Sequence, residues 1–474
     1  MLRTDVAQPN VGNFVTSLRD IGYTFEIAVA DILDNSISAN ARNVKIHATP
    51  EPEKIFCLLD DGDGMSRHEL FEAMRLASVD PNLERRDNDL GRFGLGLKTA
   101  SFSQCKKLTV LSKRDDVLSI KRWDLEFISK KNEWLLISLD ITEVEGLPLV
   151  NELKEQSHGT LVIWQDLDRA MRADFSDAVD TLRKHLSLVF HRFLEKQGRD
   201  KLDITINNSK LQAFNPFNIT HNATQQISKE KIQLFDESIT VEPFILPHHS
   251  KLSQQEYEQY ATDDGYTKSQ GFYLYRADRL LIHGTWWGLH KVSDAHKLVR
   301  IRIEVSNKQD SYWGIDIKKA TAKPVAILKD DLKRIIGQVV EKGARPYVGR
   351  GRKIDDPTTK RFWKIIPSNN EFRFALDNEH PIYKQLHSII PREALNLLKI
   401  YLQSVEAYLP LAAIQSHLHQ HPHQVNQEPA LDEEGIKLLA EQIKNSSLGK
   451  EYIDRLLEAE LFKGRGELLG GANE

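Results

Sequence analysis

A carboxylate and an amide four residues apart, Asp31 and Asn35, form the first pair in this chain that could do chemistry. They lie in an apolar run from Phe25 to Ile37 whose spacing predicts a buried helix. On a helix, the two side chains share one face, one turn apart. There the carboxylate could orient and deprotonate a water, and the amide oxygen could ligate Mg²⁺. The alternative is a helix that turns its polar face to solvent.

A second segment begins at Asp60, directly after the apolar run 55–59, which predicts a strand. At the end of a strand, the Asp60 carboxylate could accept a hydrogen bond from the exocyclic amine of adenine, which guanine lacks at that position. Gly62 and Gly64 would let the backbone turn tightly against the base, and Met65 would supply a polarisable wall. A plain acidic hairpin turn is the alternative.

A third segment contains Gly91, Gly94 and Gly96, followed by Leu97 and Lys98. Glycines before a helix leave backbone amides free to bind phosphate oxygens, and a lysine ammonium could lie beside the same oxygens. We therefore predict that these residues line a phosphate site.

The stretch 78–90 between the second and third segments is polar and without periodicity, which predicts a lid over a triphosphate. The order and spacing of the three segments are more specific than any one of them alone.

Together the three segments resemble the GHKL ATPases (gyrase, heat-shock chaperone, histidine kinase, MutL), whose pocket is called the Bergerat fold. The stretch 92–101 is especially similar to the MORC-like pattern, and within the group the chain looks most like the MutL-like and MORC-like ATPases of bacterial defence and restriction gene clusters. The resemblance implies ATP and Mg²⁺ as cofactors, Asp31 as the general base, Asn35 as the Mg²⁺ ligand and Asp60 as the adenine contact. The lid-hinge glycines that it implies are Gly62, Gly64, Gly91, Gly94 and Gly96.

Thr160, which follows His158 and Gly159, matches the threonine that supports the adenine aspartate in the family. Two positions depart from the family pattern. Asp31 stands where most members have Glu, so the expected base is one methylene shorter, and Ser38 stands where an Asp is usual. We therefore expect a slow Mg-dependent ATPase, and the alternative is an ATP-gated protein-binding or chaperone-like module without significant turnover.

Strand patterns at 202–206, 239–246, 271–275 and 299–305 predict a β-rich second domain that resembles the transducer domain of MutL-like and gyrase-like proteins. In that family a transducer lysine senses the γ-phosphate, and Lys318 is the predicted residue, with Lys319 in reserve. The alternative is that two adjacent lysines are simply solvated.

The predicted fold class is α+β. We expect a Bergerat-fold α/β sandwich over 1–200, closed by a helix from Leu167 to Leu194, and a ribosomal-protein-like α/β transducer over 201–345. The transducer should include an amphipathic helix from Pro324 that stops at Gly343. A mainly helical region over 346–474 should serve a partner or dimerisation.

Two stretches in the last region leave functional alternatives open. Basic and aromatic residues alternate over 345–364, which fits either a nucleic-acid contact or a solvated linker. Histidines cluster over 417–423, which fits either a metal site or, given Pro422 and the polar surroundings, a flexible linker.

The composition, 40% hydrophobic and 28% charged over 474 residues, is ordinary for a globular protein. No run of about 18 apolar residues and no signal-peptide core is present, so we expect a cytoplasmic protein without a membrane partner. Cys57 and Cys105 lack metal-ligand spacing and are predicted core residues. The net charge of −4 gives no global basic field.

The resemblance implies an ATP-driven conformational switch in which ATP closes two subunits into a homodimer. It also implies DNA, or a nuclease or helicase partner protein, as the client, in defence against foreign DNA. A histidine kinase is not expected, because too few residues precede Asp31 for a phosphoacceptor helix. A type II topoisomerase is not expected, because the remaining residues leave no room for a cleavage domain.

Overall fold

The computed structural model describes residues 10–76, 96–168, 175–262, 265–310, 312–351, 359–368, 371–420, 433–445, 450–459, 461–462 and 464–470. The predicted phosphate residues Gly91 and Gly94, the predicted lid 78–90, and His421 and His423 lie outside these ranges. The chain forms two compact units. One consists of Met1–Leu246 and Tyr260–Val340, and the other of Pro247–Gln259 and Glu341–Glu474.

The N-terminal lobe of the first unit, residues 10–210, is built on a large mixed sheet. Its helices are α1 (Val11–Arg19), α2 (Phe25–Ser38), α3 (Arg67–Met74), α4 (Gly96–Gln104), α5 (Leu125–Lys131), α6 (Val150–Glu155), α7 (Phe175–Val189) and α8 (His191–Glu195). Its strands are β1 (Asn43–Thr49), β2 (Ile55–Asp60), β3 (Lys107–Arg114), β4 (Val117–Asp124), β5 (Ile137–Ser138), β6 (Gly159–Gln165), β7 (Asp203–Ile206) and β8 (Ser209–Lys210). In the described residues these strands pair in the order β5-β4-β3-β6-β2-β1-β7-β8, antiparallel except for β1 with β7.

Helix α2 lies in the core of this lobe, where its apolar residues and also Asp31, Asp34 and Ser36 are buried. Ala28, Val29, Ile32 and Leu33 are fully buried against the sheet and helices α4 and α7. Burying each large aliphatic side chain contributes about 1.5–3 kcal/mol. The helix that positions the predicted base and the predicted Mg²⁺ ligand is therefore held rigidly.

The predicted helix over Leu167–Leu194 is wrong in its extent. The described helix α7 begins at Phe175 and ends at Val189, and α8 follows after Phe190. Asp166 has a left-handed backbone (φ 55°), so the chain turns at the end of β6 instead of entering a helix there.

The second lobe of the first unit, residues 225–246 and 260–340, is built on a second sheet. Its strands are β9 (Gln225–Gln226), β10 (Glu230–Leu234), β11 (Glu237–Ile245), β12 (Gly271–Arg276), β13 (Arg279–Thr285) and β14 (Val299–Val305). Helices α9 (Gln254–Ala261) and α10 (Gly265–Lys268) precede β12, and α11 (Lys329–Gly351) follows the sheet. The strands predicted near 239–246, 271–275 and 299–305 are confirmed as β11, β12 and β14.

The predicted helix stop at Gly343 is wrong, because α11 begins at Lys329 and continues to Gly351. A glycine inside a helix costs only about 1 kcal/mol. Burial of the apolar face, which includes Leu332, Ile335 and Val339, outweighs that cost.

The two lobes are joined by direct contacts between α7–α8 and the second sheet. The His191 imidazole lies 2.8 Å from the Tyr275 hydroxyl, and Arg192 forms an ion pair with Glu304 at 2.8 Å. Leu188 also packs on the aromatic cluster around Phe217. Residues of the second lobe are therefore fixed beside α2.

The second unit is mainly helical in its described residues. It contains the hairpin β15 (Trp363–Ser368) and β16 (Glu371–Leu376), and helices α12 (Pro381–Ile389), α13 (Arg392–Ala407), α14 (Leu411–Gln420), α15 (Glu433–Lys444) and α16 (Lys450–Leu457). Among the described helices none alone has the length and hydropathy of a membrane span, although the bent pair α13 and Leu411–Leu418 passes that test together.

Candidate nucleotide-binding site

Helix α2 presents Asp31 and Asn35 on one face, as their spacing predicts. Asn35 is exposed, and its side-chain amide nitrogen donates a hydrogen bond to the Asp31 backbone carbonyl at 3.1 Å. This bond uses the nitrogen end of the amide, so the carbonyl oxygen is the atom that could ligate a cation. An Mg²⁺ ion held mostly by phosphates and water needs only one or two protein oxygens, and Asn35 fits that requirement.

Asp60 ends strand β2 and is almost fully buried. Three donors hold its carboxylate: the Ser36 hydroxyl at 2.7 Å, the Gly62 amide at 3.0 Å and the Thr160 amide at 3.1 Å. Burial raises the pKa of Asp60 to about 6, and the three hydrogen bonds oppose that rise. A fixed carboxylate at the end of a strand is an acceptor suited to an exocyclic amine.

Thr160 lies beside Asp60 because the two residues are register partners in the antiparallel pair β2–β6. Its contact with Asp60 is made by the backbone amide. Its hydroxyl lies 2.9 Å from the Ser112 hydroxyl, which also accepts the Met65 amide at 2.8 Å. Thr160 and Ser112 therefore hold the segment after Asp60 against the sheet.

The glycines after Asp60 are required by close backbone approaches. A Cβ on Gly62 would lie 2.8 Å from the Ala39 carbonyl oxygen. A Cβ on Gly64 would lie 2.0 Å from the Lys113 carbonyl oxygen, and Gly64 has a φ of 66°. The His158 Nδ1 also lies 2.7 Å from the Gly62 carbonyl oxygen, so it must donate its proton there.

The Asp31 carboxylate is buried, and both of its oxygens are engaged. Oδ2 accepts the Tyr23 hydroxyl at 2.9 Å, and Oδ1 accepts the Lys319 ammonium at 3.1 Å, with the Arg279 guanidinium at 3.7 Å. Burial raises the pKa of Asp31, while Lys319 and Arg279 lower it. A raised pKa suits a general base, although each oxygen must exchange its partner before it can take a proton from water.

The structure brings Lys319 to Asp31. The Lys319 ammonium lies 3.1 Å from Asp31 and 2.6 Å from Asp34, and it is buried. Lys318 is only half-buried, and its ammonium lies near Gly22. The reason is the backbone at Lys319, whose left-handed conformation (φ 53°) turns successive side chains in different directions.

The third segment is described from Gly96 onward, where α4 begins. A Cβ on Gly96 would lie 3.8 Å from Asp31 Oδ2, so the start of α4 faces the expected base. Leu97 packs against the main core of the lobe. Lys98 is buried and donates to the Ala73 carbonyl at 2.9 Å, and burial lowers its pKa to about 8.

Several residues of this site were not predicted. They are Tyr23, which contacts Asp31, Ser36, which contacts Asp60, Arg279, which contacts Asp31 and Asp34, and Asp34, which shares the Lys319 ammonium with Asp31. Ser36 could have been found, because it lies on α2 one residue after Asn35. Arg279 could not have been predicted as a site residue, because no local sequence pattern distinguishes an arginine at the start of a strand.

No group of three or more His, Cys, Asp or Glu side chains within the described residues is arranged to hold a metal ion. His417 lies in α14, while the predicted cluster is only partly described.

Comparison with known proteins gives a family match and a curated relative. Residues 23–160 match the family model described as histidine kinase-, DNA gyrase B-, and HSP90-like ATPase. The chain is also 30% identical over 93 residues to "ATPase morc-1" of Caenorhabditis elegans. That stretch is 19% of this chain and 10% of the relative, so the chain spans about a tenth of the relative that it matches. Residues 23–160 thus carry a domain of the GHKL ATPase type, and a 93-residue stretch of the chain is similar to a MORC ATPase.

Proposed function

We propose that this protein binds Mg²⁺·ATP between α2, the end of β2 and the start of α4, hydrolyses it slowly, and uses the cycle as a conformational switch. The observation that carries the proposal is the buried bond from Lys319 of the second lobe to Asp31 of the N-terminal lobe. Lys319 belongs to the second lobe but contacts the site of the N-terminal lobe. Binding of a nucleotide at that site can therefore change how the two lobes are arranged.

In this proposal each residue has one task. Asp60 accepts the adenine amine, with Thr160 and Ser36 holding its carboxylate. Asn35 ligates Mg²⁺, which when bound would neutralise phosphate charge. Asp31 orients and deprotonates the attacking water, and Lys319, in place of Lys318, senses the γ-phosphate.

In the proposal, Gly96 contacts the phosphates directly, whereas Leu97 and Lys98 position the helix. Gly96 of α4 lies beside Asp31, and we propose its backbone amide as a contact to a phosphate oxygen. Leu97 and Lys98 hold this part of α4 in place, because Leu97 packs against the core and the Lys98 ammonium donates to the Ala73 carbonyl. We propose Gly91 and Gly94 as further phosphate contacts on the resemblance alone.

A second candidate function is an ATP-gated binding module without significant turnover. The observation that favours it is that both Asp31 oxygens have partners, Tyr23 and Lys319. A base that must first lose a hydrogen bond or an ion pair accepts a proton less readily.

The client of the switch is proposed from the resemblance. We propose a homodimer that closes on ATP binding, and DNA, or a nuclease or helicase partner, as the client in defence against foreign DNA. Sedimentation with and without a non-hydrolysable ATP analogue tests the dimer. DNA retention under the same two conditions, at stated salt, tests the client.

Nucleotide binding and phosphate release test the function itself. Wild-type protein should bind ATP in preference to GTP, and Asn35→Ala and Asp60→Asn should each weaken ATP binding at least about tenfold, the loss expected for one charge-assisted contact. Phosphate release that stops in Asp31→Ala identifies a slow ATPase. Equal, near-zero release in wild type and Asp31→Ala, with ATP binding intact, identifies the binding module. Unchanged ATP affinity in both Asn35→Ala and Asp60→Asn would contradict the assignment of this site as the ATP-binding site.

A further inference from the structure

Helix α2 holds a second buried carboxylate, Asp34, which is paired with two cations of the second lobe. Its Oδ1 accepts the Arg279 Nε at 2.7 Å, and its Oδ2 accepts the Lys319 ammonium at 2.6 Å. The Lys319 ammonium is thus closer to Asp34 than to Asp31, from which it lies 3.1 Å. Asp34 is the main anchor of the lysine.

These four charged side chains are almost completely removed from water. Asp31 and Asp34 are 2% and 1% exposed, and Arg279 and Lys319 are 3% and 8% exposed. Burying ion pairs costs desolvation that their attraction often fails to offset, and apolar replacements are frequently as stable. Stability alone therefore does not explain the cluster.

The backbone of Lys319 is held as firmly as its ammonium. The Lys319 amide donates to the Asp316 carbonyl at 3.0 Å, and the amides of Ala320 and Thr321 donate to the Asp316 carboxylate at 2.8 and 3.0 Å. This small loop fixes Lys319 in a left-handed conformation that a lysine adopts only when its surroundings impose it. Both ends of the side chain are therefore positioned.

We propose, resting on the proposed function, that Asp34 is a positioning residue for Lys319: it keeps its bond to the ammonium while Lys319 exchanges Asp31 for the γ-phosphate of ATP. Arg279 holds the other oxygen of Asp34, so the carboxylate does not follow the lysine when Asp31 is released. The exchange removes the Lys319 ammonium from Asp31 Oδ1 only when a third phosphate is present, and it leaves the Arg279 guanidinium 3.7 Å from that oxygen. Asp34 thereby makes the site discriminate ATP from ADP.

The test is the ratio of the ADP and non-hydrolysable ATP analogue dissociation constants, measured by calorimetry on the full chain. In wild type the ratio should favour the triphosphate. Lys319→Met should lower it on the order of 10- to 100-fold, the loss expected for one charge-assisted hydrogen bond. Asp34→Asn should lower it similarly with ADP affinity unchanged, and the double variant should be no worse than either single one.

Asp34→Glu keeps the charge but displaces it by one methylene, so it should retain part of the triphosphate preference, and it replaces Asp34→Asn if the latter does not fold. Lys323→Met, an exposed lysine in the same segment, is the matched control and should leave the ratio unchanged. Circular dichroism and ADP binding report folding for each variant.

Three results would overturn the inference. The first is an unchanged ratio in Asp34→Asn when Lys319→Met lowers it. The second is an equal loss of ADP and ATP-analogue affinity in Asp34→Asn, which indicates a structural role only. The third is a Lys319→Met variant with the wild-type ratio. Wild-type protein that binds neither nucleotide would overturn the proposed function itself, and the inference with it.

Discussion

Ser36 donates its hydroxyl to Asp60 Oδ2 over 2.7 Å and so joins helix α2 to the end of strand β2. The bond favours the ionised carboxylate and opposes the effect of burial, which raises the pKa of Asp60 to about 6. The protonation state of Asp60 therefore changes at a pH of about 6.

We expect the affinity for ATP to fall as the pH drops below about 6, the pKa of Asp60 in the free protein. The adenine amine donates a hydrogen bond to the ionised carboxylate and so stabilises the ionised form. Below this pKa, ATP binding must displace a proton from Asp60, and the affinity for ATP falls by up to about tenfold per pH unit. Ser36→Ala removes one donor, raises the pKa further and should move the fall in affinity to higher pH. Dissociation constants from pH 5 to 8 check this, and superimposable profiles for the two proteins would contradict it.

Tyr23→Phe should change the pH dependence of phosphate release. The variant keeps the buried ring but removes the hydroxyl that donates to Asp31 Oδ2. Since that hydrogen bond favours the ionised form, the pKa of Asp31, already raised by burial, should rise further. The acid limb of the kcat profile should then lie at higher pH than in wild type. Tyr312→Phe, at an exposed tyrosine, is the control, and an unshifted limb in Tyr23→Phe would count against Asp31 as the base.

Gly64→Ala should destabilise the protein, whereas Gly146→Ala should not. The new Cβ at position 64 would lie 2.0 Å from the Lys113 carbonyl oxygen, in a left-handed backbone. The backbone conformation alone costs about 1–2 kcal/mol, and the clash adds to that cost. Gly146 has no atom within 4 Å of an added Cβ, so its variant should lie within about 0.5 kcal/mol of wild type. Urea unfolding measures both, and equal midpoints would refute the prediction.

Lys319→Met should slow phosphate release more than Lys318→Met. Lys319 contacts both carboxylates of α2, while Lys318 is half-buried near Gly22. Loss of a cation that stabilises transferring phosphate costs on the order of 100-fold in kcat. Single-turnover phosphate release with saturating ATP measures the difference. The reverse order of effects would restore the assignment of Lys318 as the sensor.

Local patterns were sufficient to predict the elements of the N-terminal site. The apolar spacing around Asp31 and Asn35 indicates α2, and the continuous apolar run before Asp60 indicates β2, because both elements are buried in the core of the lobe. The glycines at 62 and 64 could also be predicted, since tight turns restrict the residue types that fit. Helix ends were less predictable, as Gly343 shows, because packing can outweigh a local breaker.

The sequence by itself determined helix α2, strand β2 and the tight turn after β2, because each of these follows from local patterns of apolar residues and glycines. Only the tertiary structure decided that Lys319, and not Lys318, reaches the carboxylates of α2, and that Arg279 holds Asp34 there. The partners in these contacts lie 285 and 245 residues apart, where no period relates one residue to the other. Their meeting depends on how the second lobe packs against α7 and α8, and on a left-handed backbone at a single lysine.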